Sequence, residues 1–254
     1  MDHSLAESEQ ESSRILNLEL EHHLNATQLA YNLICLAINV FPEMNISEIS
    51  SSFKVSVSLL IKISNDIRCA SLLSARGYSI QSASLVSSMY ESSFMIAYVG
   101  NDEERAIKWI EHDNPKRLFI SVYDLTKEAI KSFNVSDIDG RTEKEYSDYR
   151  QLCMVKHSNP LIQMQHGYLI EGNVVLAING PEHSETSIRI SWFALEKSIN
   201  YVLISLGSFI NNHLATLDIK YLLDGYQKLT EVHGKLIQLA IERWGTENPY
   251  QGKI

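Results

Sequence analysis

Hydrophobic residues recur at steps of three and four along most of the chain, which is the spacing that lines one face of an α-helix. The pattern predicts helices over 16–38, 46–77, 85–99, 102–113, 115–133, 139–159, 184–209 and 222–245. Asn101 and the Asn114-Pro115 pair are expected to begin two of them, because a short polar side chain caps free N–H groups and proline fits the first turn.

Two patterns bear on how these helices pack. Sixteen serines lie between Ser47 and Ser93, interleaved with apolar residues, which predicts close helix packing with hydroxyls bonded to the preceding turn. From Ile188 to Phe209 the apolar residues alternate steps of four and three through three heptads, which indicates a seam along a neighbouring helix. This seam fits a core helix as well as a contact between two copies of the chain.

One stretch breaks the helical period. Two apolar runs, Tyr168 to Ile170 and Val174 to Ile178, flank the turn Glu171-Gly172-Asn173, a pattern typical of a β-hairpin. Five prolines and 11 glycines are too few for a many-stranded β fold. The sequence therefore predicts an all-α helical bundle with a small β-hairpin near 168–178. We expect a flexible acidic tail over 1–14, a single domain over 15–245 and a C-terminal tail over 246–254.

Composition and charge narrow the class of protein. The chain has 254 residues, 44% of them hydrophobic and 21% charged, which suits a globular protein with a sizeable core. Of the net charge of -9, the first 50 residues carry -7, with eight acids against Arg14 alone, so the rest carries -2. This distribution excludes a broad basic DNA-coating surface and allows a small RNA site with a few local cations.

Cysteines and apolar runs indicate a cytoplasmic protein. Cys35, Cys69 and Cys153 are odd in number and far apart, as expected for reduced thiols. No run reaches the roughly 18 to 20 apolar residues of a spanning helix. The first residues lack the basic-then-apolar order of a signal peptide. We therefore expect no membrane association.

Several catalytic classes lack sequence support. There is no glycine-rich phosphate loop, nucleophile-elbow serine or Cys-x-x-Cys pair. Glu19 and His22 have the spacing of a helical di-iron ligand pair, but no second pair accompanies them, so a solvated helix face is the favoured interpretation. We expect no metal and no cofactor.

The segment Arg150-Gln-Leu-Cys-Met-Val-Lys-His157 carries the main candidate chemistry. Seven residues turn a helix through about 700°, so Arg150 and His157 fall on one face roughly 10 Å apart along the axis. A phosphate fits between two such side chains, within one chain or across a dimer axis. The same spacing also arises by chance, with His157 capping the helix before Pro160 and Arg150 paired with Glu145 or Asp148.

This segment resembles the Arg-x4-6-His motif of HEPN (higher eukaryotes and prokaryotes nucleotide-binding) domains, which are all-α; here Gln151 follows the arginine. A second resemblance, over roughly residues 60 to 240, is to a family of bacterial helical proteins of unassigned function. The residues that carry it are Ala75-Arg76-Gly77-Tyr78, Ser84-Leu85-Val86-Ser87-Ser88-Met89-Tyr90-Glu91, Tyr149-Arg150-Gln151-Leu152 and His157-Ser158-Asn159-Pro160. The chain departs from this pattern at Ser87, where arginine is common.

The HEPN resemblance implies a metal-independent endoribonuclease in which two protomers usually build one groove. His157 would assist proton transfer from a ribose 2′-hydroxyl, and Arg150 would stabilise the charge of the phosphorane. Lys156 is expected to hold the RNA backbone, and Tyr149 or Tyr146 to stack a base.

Further residues are candidates for supporting roles. Ser158 and Asn159 are expected to orient the catalytic imidazole. Glu91 is a candidate partner for Arg76 or for the catalytic pair, and a solvated position explains it equally well. Cys153 shares a helix face with the pair, but a structural thiol is favoured over a nucleophile.

The sequence thus predicts a HEPN-like endoribonuclease that acts as a homodimer on RNA, as a toxin or an antiphage defence effector. Its expected partner is an antitoxin, a sensor or another defence protein. The alternative is a non-catalytic HEPN-like module that binds a partner protein or a nucleotide; the acidic first 50 residues and the seam from Ile188 to Phe209 suit such docking. A helical metal enzyme is a third class.

Overall fold

The computed structural model describes residues 5–40, 49–114, 119–133, 135–156, 168–171, 174–177 and 180–245. Helices make up most of this part of the chain, so the predicted all-α class is confirmed. They are α1 (Leu5–Glu19), α2 (Glu21–Ile38), α3 (Ser51–Ala75), α4 (Ser79–Val99), α5 (Glu103–Ile110), α6 (Val122–Lys131), α7 (Ile138–Lys156), α8 (Glu185–Phe209) and α9 (Lys220–Trp244).

Two further elements interrupt this series. A π-helical turn, Ile210–Leu214, continues α8. Between α7 and α8, strands β1 (Tyr168–Glu171) and β2 (Val174–Ala177) pair antiparallel, with Tyr168 opposite Ala177.

Polar side chains set the start of several helices. Four of them accept a hydrogen bond from the backbone N–H three residues on: Ser50, Asp102, Ser121 and Ser184. One predicted start is therefore shifted, and the start expected after Asn114 falls on residues 115–118, outside the described residues. Asp102 rather than Asn101 caps α5, and α6 begins only after Ser121. The reason is that each observed cap has an oxygen within reach of the first turn, at 3.0 Å and 3.1 Å respectively.

Helix α1 covers most of the segment expected to be a flexible tail. Ser12 and Leu16 are buried, and the Ser12 hydroxyl lies 3.1 Å from Nδ1 of His183. Glu9 accepts a 2.7 Å hydrogen bond from the Tyr78 hydroxyl. From Leu5 onward the structure thus replaces the predicted tail by a packed helix, because residues distant in the chain supply partners for its polar side chains.

The core is built around α4 and α8, which pack along each other and are surrounded by α2, α3, α6, α7 and α9. Met89, Tyr90 and Phe94 of α4 are fully buried. The heptad seam of α8 is buried from Ile188 to Phe209. This seam therefore serves the core of its own chain, and the docking role suggested for it is wrong.

Small side chains let α3 and α4 approach closely, as the serine pattern predicts. The Ser74 hydroxyl donates to Oγ of Ser82 at 2.8 Å, and the Ser82 hydroxyl donates to the Ala70 carbonyl at 3.0 Å. Ser71 and Ser93 are buried and bond to carbonyls of their own preceding turns. The buried serine hydroxyls thus find hydrogen-bond acceptors inside the interface, and their small side chains do not push the two helices apart.

Two further findings concern the cysteines and the character of the helices. The three cysteines are free thiols. Within the described ranges, every helix is too short or too polar to pass through a bilayer.

Candidate functional site

Helix α7 presents the arginine of the Arg-x6-His segment to solvent. Arg150 is exposed, and within the described residues neither a hydrogen bond nor an ion pair holds its guanidinium. The two carboxylates considered as its surface partners are paired elsewhere. Oε1 of Glu145 lies 2.6 Å from Arg141, and Oδ2 of Asp148 lies 2.7 Å from Lys197. Neither carboxylate is thus a partner of Arg150 in the described part of the chain.

Three of the candidate residues follow α7 directly. His157, Ser158 and Asn159 lie outside the described residues, so their roles stay predictions. Lys156, the last residue of α7, is exposed, and its Nζ lies 3.7 Å from Oε1 of Glu91 on α4.

The structure brings Glu91 together with α7 and not with Arg76. Tyr149 and Lys156, seven residues apart, share the face of α7 that contacts α4. The Tyr149 hydroxyl donates a 2.8 Å hydrogen bond to Oε1 of Glu91. Arg76 caps the end of α3 ahead of Ser79, the first residue of α4, so about 18 Å of helix separates it from Glu91.

The two candidate stacking tyrosines belong to a row of packed rings. The Tyr149 ring lies 4.7 Å from that of Tyr90 and 6.0 Å from that of Tyr146. The Tyr146 ring in turn meets Tyr123 edge-on at 5.2 Å. Burial and the bonds to Cys153 and Glu91 raise the pKa of Tyr149, so its phenol stays protonated at neutral pH. These ring contacts help to hold α7 against α4 and α6, and base stacking by Tyr146 or Tyr149 stays a prediction.

Cys153 has the environment of a structural thiol. Burial raises the pKa of its thiol, and the opposing effects of Tyr149 and Lys156 are smaller. A nucleophilic cysteine needs the thiolate. The protonated form that this environment favours supports the structural interpretation.

Ser87 marks the departure from the bacterial helical pattern. Its side chain is fully buried in α4, and its hydroxyl donates to the Ser84 carbonyl at 2.7 Å. An arginine there would bury an uncompensated charge. The serine thus suits the packing of this chain.

Glu91 also lines a cavity of about 460 Å³, a site that sequence reasoning missed. Its apolar part includes Met95 and Leu125, its aromatic part Trp109 and Phe119, and its polar rim Glu91, His112, Asp113 and Asn114. An apolar pocket with a few convergent polar groups is the usual anatomy of a small-ligand site. The signal in the sequence is the run Trp109-x-x-His112-Asp113-Asn114 at the end of α5.

The di-iron interpretation of Glu19 and His22 finds no support in the geometry. The chain leaves the helical path at Leu20, so the two residues belong to different helices. Glu19 accepts a 2.6 Å hydrogen bond from Arg243. In the described part of the chain, no three histidine, cysteine or acidic side chains are grouped so as to hold a metal ion.

No model of a protein family matches the chain, and no curated protein or solved structure matches it either.

Proposed function

We propose that this protein is a metal-independent endoribonuclease of the HEPN type, with His157 and Arg150 as its catalytic residues. The observation that carries the proposal is the state of Arg150, which is exposed on α7 while the nearby Glu145 and Asp148 are paired with other cations. The resemblance to HEPN toxins and defence effectors extends the proposal to a toxin or an antiphage effector.

The local charge favours an RNA phosphate. Arg150 and Lys156 lie in the last two turns of α7 and are both exposed. Most of the net negative charge of the chain lies in its first 50 residues, which carry -7 of the total of -9. A few cations of this kind are enough to hold a phosphate backbone locally.

In the proposed reaction, the His157 imidazole accepts the proton of a ribose 2′-hydroxyl. The 2′ oxygen then attacks the adjacent phosphorus, and the bond from phosphorus to the 5′ oxygen breaks. The leaving 5′ oxygen takes a proton from water, and the hydroxide that remains takes the proton back from the His157 imidazolium. The products are a 2′,3′-cyclic phosphate and a 5′-hydroxyl. Arg150 stabilises the extra negative charge of the phosphorane with its planar set of N–H donors.

The test is cleavage of total cellular RNA and a tRNA pool by purified protein in EDTA. We expect the wild type to cleave RNA and His157→Ala to lose at least about 100-fold in rate, the usual contribution of a general acid or base. Arg150→Ala is expected to lose a similar factor, because it removes the donors that face the transition state.

His22→Ala is the matched control, since His22 is an exposed helical histidine far from α7 in the sequence. It should cleave RNA as the wild type does, and circular dichroism should show equal helicity for all variants. Full activity of His157→Ala would contradict the proposal. A folded wild type without activity would favour the non-catalytic HEPN-like module.

A further inference from the structure

The lining of the cavity beside Glu91 combines apolar and aromatic side chains with two carboxylates. Trp109 and Phe119 contribute aromatic rings, and the His112 ring meets Phe119 edge-on at 5.8 Å. Aromatic side chains stack on nucleic-acid bases and contribute to their binding. A volume of about 460 Å³ is ample for one heterocyclic base.

The cavity is next to the proposed catalytic segment. Glu91 lines it, and the same carboxylate accepts the Tyr149 hydrogen bond and lies 3.7 Å from Nζ of Lys156. In the sequence, Arg150 follows Tyr149 and His157 follows Lys156. A base in this cavity would therefore belong to a nucleotide close to the phosphate that Arg150 holds.

The two carboxylates of the rim differ in their partners. Oε1 of Glu91 is engaged by Tyr149 and Lys156. Asp113 is exposed, and among the described residues no cation pairs with it. Asp113 lines the same rim, and each of its two oxygens can accept a hydrogen bond from a ligand in the cavity.

Such a carboxylate distinguishes guanine from the other bases. Guanine presents two adjacent donors, N1–H and the N2 amino group, and a carboxylate accepts both with its two oxygens. Adenine and cytosine offer a single amino group beside a ring acceptor, and uracil offers one N–H between two carbonyls.

We infer that this cavity is a guanine-binding subsite, with Asp113 as the residue that selects the base. The inference rests on the proposed ribonuclease function and adds a preference for cleavage next to guanosine.

The direct test is equilibrium dialysis of the full-length protein with the four ribonucleosides, which carry no phosphate and so isolate the recognition of the base. Guanosine should bind at least about tenfold more tightly than adenosine, cytidine or uridine, as expected when a pair of charge-assisted hydrogen bonds is made with one base only. Asp113→Asn should weaken guanosine binding by a similar factor, since the amide replaces one acceptor by a donor.

Glu111→Gln is the matched control, because Glu111 is an exposed carboxylate two residues away that does not line the cavity. It should bind guanosine as the wild type does. Equal binding of the four nucleosides, no binding of guanosine, or unchanged binding by Asp113→Asn would overturn the inference. Preferential binding of spermidine would also overturn it and would identify an organic-cation pocket.

Mapping the cut positions separates this inference from the proposed function. RNA cleavage without a preference for guanosine, together with no guanosine binding, would remove the subsite and leave the ribonuclease. Guanosine binding by a protein that cleaves no RNA would remove the ribonuclease and leave the subsite.

Discussion

His23 shows how burial decides the state of a single residue. It is 1% exposed, and its ring packs against that of Trp192 with a centroid distance of 4.4 Å and the two planes tilted by 46°. Neither ring nitrogen has a hydrogen-bond partner within the described residues. Burial lowers the pKa of His23 from 6.5 to about 4, so the imidazole is neutral at physiological pH. The sequence places this histidine beside the exposed His22 and does not distinguish them.

The lowered pKa of His23 predicts that the protein loses stability in acid. Between pH 6.5 and about 4 the unfolded chain binds a proton at His23 that the folded chain does not. The titration of His23 therefore leaves the free energy of unfolding at its full value above pH 6.5. Between pH 6.5 and about 4 it lowers that free energy by about 1.4 kcal/mol for each unit by which the pH drops. His23→Leu should remove up to about 3 kcal/mol of this pH dependence, measured by urea unfolding at pH 7 and pH 4.

His22→Gln is the control. His22 is the exposed neighbour of His23, so this variant should lose the same free energy of unfolding between pH 7 and pH 4 as the wild type does. If His23→Leu and the wild type lose the same free energy between pH 7 and pH 4, His23 is not a buried neutral histidine.

At the scale of elements, a chain of largely buried polar side chains joins α7, α8 and α9. Nζ of Lys197 on α8 lies 2.7 Å from Oδ2 of Asp148 on α7 and 3.4 Å from Oε2 of Glu196. Oε1 of Glu196 lies 2.6 Å from Nε2 of His233 on α9. Burial by itself lowers the pKa of Lys197, but the carboxylates of Glu196 and Asp148 outweigh it and raise the pKa above its ordinary value.

Removal of the central cation should therefore destabilise the bundle. Lys197→Met removes the cation that lies between the largely buried carboxylates of Asp148 and Glu196, and we expect a loss of about 3 to 5 kcal/mol in the free energy of unfolding. Chemical denaturation at neutral pH measures this loss. Lys54→Met, at an exposed position of α3, should stay within about 0.5 kcal/mol of the wild type. Equal stability of the two variants would show that the network contributes nothing.

At the scale of the whole molecule, the proposed site raises the question of whether one copy of the chain builds it or two. The HEPN resemblance implies a groove shared by two copies, and an exposed Arg150 is accessible to a second copy as well as to RNA. We predict a particle of twice the 28.9 kDa chain mass in sedimentation velocity.

Mixing of inactive variants tests whether the groove is shared. If Arg150 of one copy acts with His157 of the other, a mixed dimer of Arg150→Ala and His157→Ala contains one intact site. Random exchange of protomers should then restore roughly a quarter of the wild-type activity. Sedimentation as a monomer with full ribonuclease activity would contradict a shared site.

Much of the fold could be predicted from the sequence because helical periodicity is a local property. The spacing of apolar residues predicts the end of α4 near Gly100 and the start of α8 near Ser184, as the structure has them. The helix start at Asn101 was misplaced by one residue, since neighbouring polar residues compete as caps and only the backbone geometry selects one.

The sequence by itself determined the helical class, the close serine-rich packing of α3 and α4, and the Arg150 segment as the place to seek chemistry. The tertiary structure alone decided that the α8 seam is core, that Glu91 joins Tyr149 and Lys156, and that Trp109 and Asp113 share a cavity with Glu91. The physical reason is that periodicity reports contacts within a few residues, whereas pairing and enclosure depend on side chains from helices far apart in the chain.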